Sequence, residues 1–217
     1  IDIPVYINYL ILEIFGDNKD WNGNNIKLWR PRTDDGKWRW LPWDLDCAFG
    51  GLYDLGATRG VNNEFGFNTL AFATDPRGGW PYQPWTTFIL RKLLENQSFE
   101  NDFINRFSDC LNSFLQNHIV MQKIHDVKST IEPEMPNHIA RWGSTNRAIK
   151  SMDDWYSRVR GVEEFGETRA DSIRFYITEK FNLSGSAQIT IDTPQPGTGT
   201  IRINTLPLDE FPWSGTY

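Results

Sequence analysis

Apolar residues first recur at helical density over 3–15 (IPVYINYLILEIF), where they cover most of the circumference and predict a helix buried on several sides. Gly16 ends that run and Asp17 opens a polar segment. Over 26–41 (IKLWRPRTDDGKWRWL) the pattern turns to β: two aromatic-rich runs flank TDDG, whose Asp-Gly step signals a tight reversal. Strand alternation puts Trp38 and Trp40 on one face and Arg39 and Leu41 on the other. Carried past the hairpin, the same alternation sends Asp44 and Asp46 to one face and Leu45 to the other. From Gly50 to Tyr82 neither period persists. Gly, Asn and Asp dominate there, with Phe65, Phe67, Trp80 and Tyr82 among them, and a loop of that length is expected to shape access to a site.

Helical spacing returns at 84–96 (PWTTFILRKLLEN) and at 99–116, where Phe99, Phe103, Phe107, Leu111 and Phe114 form a stripe expected in the core, with Ser98 as its N-cap. The segments 118–142 and 147–181 continue the helices, with breaks near Pro133, Pro136 and Gly143. After Phe181 the runs shorten to ITI and IRI between Pro and Gly turns, and FPWSGTY ends the chain without an obvious closing strand. The expected class is α+β. Residues 1–181 form a mainly helical domain carrying one hairpin, and 182–217 begin a β-rich module.

Composition narrows the function classes. At 217 residues with 39% hydrophobic content the chain can bury a core. A net charge of −6 without any basic run argues against a nucleic-acid partner. No apolar stretch approaches the roughly 20 residues of a membrane span. Cys47 and Cys110 show no metal-ligand spacing and are expected to be small buried hydrophobes. His118, His125 and His138 lie in different segments with no H-E-x-x-H pair, so they are expected to pack or face solvent. Of ten tryptophans, Trp21, Trp29, Trp38, Trp40 and Trp43 gather around the hairpin, where rings wall a cleft or fill a core.

The polar segment before the hairpin, DNKDWNGNN (17–25), and PWDLDCAFGG (42–51) after it hold the chemistry. Phosphoryl transfer needs a carboxylate that takes or orients the proton of the attacking hydroxyl, and oxygen ligands that hold Mg²⁺ against nucleotide phosphates. In the D-x-x-x-x-N spacing of Asp20 and Asn25, the Asp can face the hydroxyl while a short loop returns the Asn oxygen to the metal. Asp44 and Asp46 then supply carboxylates for the same ion.

At these residues the chain resembles the CotH-type kinase family, atypical protein-kinase-like proteins named for a spore-coat protein. The family pattern is an Asp-x-x-x-x-Asn loop, an aromatic strand pair around Gly-Lys, then Pro-Trp-Asp-x-Asp and Phe-Gly. These read here DWNGNN, KLWRPRTDDGKW and PWDLDCAFG. The resemblance implies a protein-kinase-like large lobe using ATP and Mg²⁺, or Mn²⁺, to phosphorylate Ser or Thr hydroxyls of protein partners. By the same resemblance Asp20 takes the catalytic-base position, Asn25 and Asp44 metal and nucleotide positions, and Asp46 a second metal position. Trp43 is expected beside the nucleotide. The chain departs from ordinary protein kinases in lacking His-Arg before Asp20 and a literal Asp-Phe-Gly after the hairpin. No Gly-rich loop, strand Lys or helix Glu precedes Asp20, so the small lobe is expected upstream of residue 1, and this segment alone is expected to transfer little phosphate.

The resemblance also favours a cell-surface, secreted or spore-coat setting, with surface or coat partners reached through the β tail. A second function class is a non-catalytic surface or coat scaffold that keeps the fold and binds through its aromatic cleft. A weaker third is glycan hydrolysis with Asp20 and Asp44 as paired carboxylates, against which Asn25 speaks.

Overall fold

The computed structural model describes residues 1–49, 67–77, 83–145, 148–193, 197 and 199–217. Helix α1 spans Ile3–Phe15; the Asp2 side chain caps it by accepting from the Val5 amide, and Pro4 sits in its first turn, where no N–H partner is needed. Tyr6, Leu10, Ile11, Ile14 and Phe15 all lie buried, as the nearly all-round apolar pattern requires. The core continues into Phe99, Phe103 and Phe107 of α4 (Gln97–Leu111) and Ile173, Tyr176 and Ile177 of α7 (Met152–Lys180). Between them in sequence come α2 (Thr69–Ala73), α3 (Phe88–Leu93), α5 (Asn117–Ile131), a 3₁₀ turn (Glu132–Glu134) and α6 (Met135–Trp142). The breaks at Pro133, Pro136 and Gly143 fall where expected. Helices α5 and α7 approach closely at Gly166, where a Cβ would come within 2.6 Å of the Ile124 side chain.

The class is α+β, and several details differ from expectation. The cap of α4 is Asn96, whose side chain accepts from the Ser98 and Phe99 amides, so Ser98 lies inside the helix. The aromatic stripe ends at Leu111: the helix stops at Asn112 and leaves Phe114 exposed. Helix α2 forms within the stretch expected to have no regular structure; its Asn68 side chain caps the Ala71 amide. Phe65, Trp80, Tyr82 and the bulk of that stretch lie outside the described residues. Thr69 and Leu70 are fully buried, so tertiary packing overrides a weak local pattern.

The hairpin is shorter than its sequence pattern. Strand β1 (Lys27–Trp29) pairs antiparallel with β2 (Arg39–Leu41) in the register Leu28↔Trp40. A tight two-residue reversal does not join them. The turn sits inside a longer connection, closed by Gly36 N–H to Thr33 O at 3.0 Å, and a Cβ at Gly36 would meet Pro31 O at 2.3 Å. Trp38 therefore precedes the strand, exposed, while Trp40 packs on Tyr6 of α1 with ring centroids 4.4 Å apart. Residues 42–45 are not strand, and Asp44 has φ 56°. Alternation thus does not bring Asp44 and Asp46 to one face, and their placement rests on the turn described below.

The tail forms two antiparallel pairs, β3 (Gln188–Ile191) with β6 (Trp213–Thr216) and β4 (Ile201–Ile203) with β5 (Leu206–Leu208). Strand β6 corrects the expectation that FPWSGTY supplies no closing strand. Its Ser-Gly step masked the pattern, and pairing Ile189 with Gly215 and Ile191 with Trp213 makes the strand. The tail is tied to the helices by buried polar groups. Asp109 of α4 accepts from the Thr205 amide (2.7 Å), the Thr205 hydroxyl and the Tyr217 hydroxyl (2.7 Å). Asn112 exchanges two hydrogen bonds with the Thr216 backbone.

Candidate functional site

One stripe of α1 carries the loop and the hairpin. Asp2, Tyr6, Tyr9 and Glu13 recur at spacings of three and four and so share a face. Asp2 accepts from Arg39 of β2 at 2.8 Å, and its amide donates to Trp38 O. Tyr6 meets Trp40, and the Tyr9 hydroxyl accepts from the buried Trp21 indole at 2.7 Å. Glu13 accepts from the Asn18 side-chain amide at 2.8 Å. The end of α1 is held from the far side by Arg169 of α7, whose guanidinium donates to Ile14 O (2.6 Å), Phe15 O (2.8 Å), Phe67 O (3.0 Å) and the Thr69 hydroxyl (3.3 Å). Thr69 in turn donates to Asp17 at 2.6 Å, and Asp17 pairs with Lys19 at 3.0 Å.

On this support Asp20 sits half-buried at the loop's rim. Both its carboxylate oxygens accept from the Asn24 side-chain amide at 3.1 Å, and Oδ2 accepts also from Asn25 at 3.1 Å. Asn25 donates further to the Asp20 carbonyl at 3.4 Å. Its amide nitrogen is thereby committed to Asp20, and its Oδ1 takes no hydrogen bond from a described residue. The loop of five residues thus brings the Asn25 amide back onto the Asp20 carboxylate.

The segment after the hairpin lies alongside this loop, joined by Lys19 N–H to Cys47 O (3.3 Å) and Phe49 N–H to Gly16 O (2.7 Å). A turn closed by Ala48 N–H to Leu45 O (3.1 Å) then aims Asp44 and Asp46 outward, both exposed. Burial first, then the charges of Asp46, Asp20 and Asp44, push the Cys47 thiol up to about 12. The Cys47 thiol therefore stays protonated. Trp43 is more exposed, with the Lys27 ammonium 4.5 Å from its ring centroid. Five of the seven non-glycine residues with positive φ among those described lie here: Asp17, Asn22, Asn25, Asp44 and Phe49. Asn and Asp tolerate that region, whereas at Phe49 it stores strain of the kind that gathers at functional sites.

The carboxylates of Asp20, Asp44 and Asp46 and the Asn25 Oδ1 are hard oxygen donors, the kind that Mg²⁺ takes. Among the described residues no three His, Cys, Asp or Glu side chains converge closely enough to hold an ion unaided. Mg²⁺ is usually bound by one or two carboxylates, with phosphates and waters completing its shell. The histidines contribute nothing; all three are exposed, and His125 lies 3.6 Å from Glu163 on the surface. Cys47 and Cys110 are buried and unpaired.

The family model described as CotH kinase protein matches residues 1–173, which takes in α1, the Asp20 loop, the hairpin and the acidic turn. The chain belongs to the CotH kinase family. No curated protein and no solved structure matches it. Family membership carries a kinase-type function in general terms, with nucleotide and metal use. No helix among the described residues is long and apolar enough to cross a membrane.

Within this CotH chain, sequence reasoning missed Glu13, Asn18, Asn24 and Arg169. Glu13 is fully buried, and burial raises its carboxyl to about 7, against a smaller lowering by the Asn18 hydrogen bond. The sign follows from linkage. The folded state holds the proton more tightly than the unfolded chain, whose value is near 4.5. Stability from this group is therefore complete below pH 4.5 and lost as pH rises through 7, by about 3 kcal/mol. Urea midpoints measured from pH 4 to 8 should fall more in the wild type than in Glu13→Gln. Parallel curves would show that Glu13 ionises alike in both states.

Proposed function

We propose that this chain forms the large lobe of a kinase-like unit that transfers the γ-phosphate of ATP, with Mg²⁺, to Ser or Thr hydroxyls of a protein partner. The observation that carries the reading is the Asp20 carboxylate, clamped by two amides beside a turn that presents Asp44 and Asp46. Asp20 accepts the proton of the attacking hydroxyl as the new oxygen–phosphorus bond forms and the bond to the β-phosphate's bridging oxygen breaks. Asn24 and Asn25 hold the carboxylate in one orientation, which removes a reorganisation cost from the transfer step. Asn25 Oδ1, Asp44 and Asp46 would hold the Mg²⁺, which neutralises charge on the phosphates. Trp43 would flank the nucleotide. Family membership directs the search for protein substrates to coat and surface proteins.

In the full-length protein, Asp44→Ala is expected to weaken Mg-ATP binding by about tenfold or more, the size of effect seen even for outer-shell partners of metal ligands. Asp46→Ala should weaken it less. Calorimetric titration of ATP with and without Mg²⁺ checks both. Equal losses would mean a shared ion, and no loss from either removes the metal assignment.

A scaffold reading has one observation in its favour, the exposed hairpin surface where Arg39 lies over Trp29 and Arg30 over Trp38. It gives no account of the amide clamp on Asp20.

A further inference from the structure

Glu13 is an expensive residue to keep. A fully buried carboxyl in a helix that otherwise packs against apolar side chains costs several kcal/mol unless it is paired. Among the described residues no cation meets it. One oxygen, Oε1, is buried without a hydrogen-bond partner, and the other accepts only from the Asn18 amide. A core position of this kind would be better filled by Leu or Met if packing were its only purpose.

Asn18 supplies the purpose. While its Nδ2 is held by Glu13, its Oδ1 accepts from the Asp20 backbone N–H at 3.1 Å, the Asx-turn geometry in which an Asn side chain fixes the backbone two residues on. Asn18 is itself buried, and its own amide donates to Glu13 O at 3.1 Å, so the two residues are joined through both side chain and backbone. One turn earlier on the same helix face, Tyr9 holds Trp21. Asp20 thus lies between two loop residues, 18 and 21, each anchored to α1.

We propose that Glu13 is a positioning residue for phosphoryl transfer, acting through the Asn18 side chain to fix the Asp20 backbone. This rests on the kinase reading above. Glu13 touches neither nucleotide nor substrate; it sets where the Asp20 carboxylate starts from, and Asn24 and Asn25 set its direction.

The test uses the full-length protein with two variants. Glu13→Met fills the space with no acceptor, and Glu13→Gln keeps an oxygen for the Asn18 amide. Two readouts are compared: kcat and KM for ATP in phosphate transfer, and hydrogen exchange at the Asp20 amide, which needs no activity. Glu13→Met is expected to lower kcat at least tenfold with KM for ATP within about twofold, and to speed Asp20 amide exchange at least tenfold. Glu13→Gln should restore most of both. Adding Asn18→Ala to Glu13→Met should cost little more than either alone, since both break one link. Unchanged Asp20 exchange in Glu13→Met overturns the proposal, as does a kcat loss that Gln does not restore. Absence of transfer by the wild type overturns it by removing the kinase reading, an outcome told apart because the exchange measurement still reports the link. If Glu13→Met fails to fold, the same readouts in Asn18→Ala decide: normal exchange and normal kcat overturn the proposal.

Discussion

Asp20→Ala in the full-length protein should lower phosphate transfer from ATP by roughly 10²–10⁴-fold, the usual contribution of a positioned general base. Nucleotide affinity should change only a few-fold. The carboxylate is half-buried, and what it accepts comes from Asn24 and Asn25 side chains near the surface, so its removal orphans no deep core group. The Asp20 amide keeps its bond to Asn18 whatever the side chain. Folding should therefore survive, and a loss of rate with an unchanged unfolding midpoint isolates the chemistry. Transfer above a tenth of the wild-type rate would mean that Asp20 is not the proton acceptor. In that case Asp44 and Asp46, the other outward acids of the site, become the residues to test.

How far the site could be foreseen depended on how local its determinants are. Helix α1 was legible because its apolar density and its Gly16 stop lie within sixteen residues. The short loop that brings Asn25 back toward Asp20 was legible in the spacing of five, whereas the hydrogen bond from the Asn25 amide to the Asp20 carboxylate was not. Asp44 and Asp46 were expected to share one face by strand alternation, but residues 42–45 are not strand. A left-handed Asp44 and a turn at 45–48 set the backbone there instead, and Asp is among the residues that permit φ above zero without announcing it. The Asp2–Tyr6–Tyr9–Glu13 stripe was present in the sequence. It was hidden because tyrosine counts as apolar in a helix whose other faces are apolar too.

The tail shows the same limit from the other side. Strand β6 contains Ser214 and Gly215 and has little β propensity, yet it pairs in register with β3 because Asn112, over a hundred residues earlier, takes both the Thr216 amide and carbonyl. Neither Asn112 nor Asp109 carries a local signal of such a role. Both sit on or just past a helix whose polar residues would ordinarily face solvent, and their burial is set by a partner that the local pattern does not reveal.

Arg169→Met should be the most destabilising single change, costing about 3–5 kcal/mol, the range for removing one member of a buried charged network. Arg169 is 2% exposed, and its guanidinium serves three backbone carbonyls and one hydroxyl drawn from α1, residue 67 and α2. Burial lowers its pKa below the ordinary arginine value, and the neighbouring Asp17 charge draws it back. Without the guanidinium, the last carbonyls of α1 lose their cation at the negative end of the helix dipole. Thr69 and Asp17 lose the group that balances their polarity. Against a typical domain stability of about 5–15 kcal/mol the loss is large. Arg169→Lys should recover less than half of it, because one ammonium cannot span acceptors on both sides of a planar fork. Urea unfolding of the two variants beside wild type measures this. A midpoint for Arg169→Met equivalent to less than about 1 kcal/mol of loss would show that the carbonyls find water or other donors, and that the loop's support lies in the α1 stripe alone.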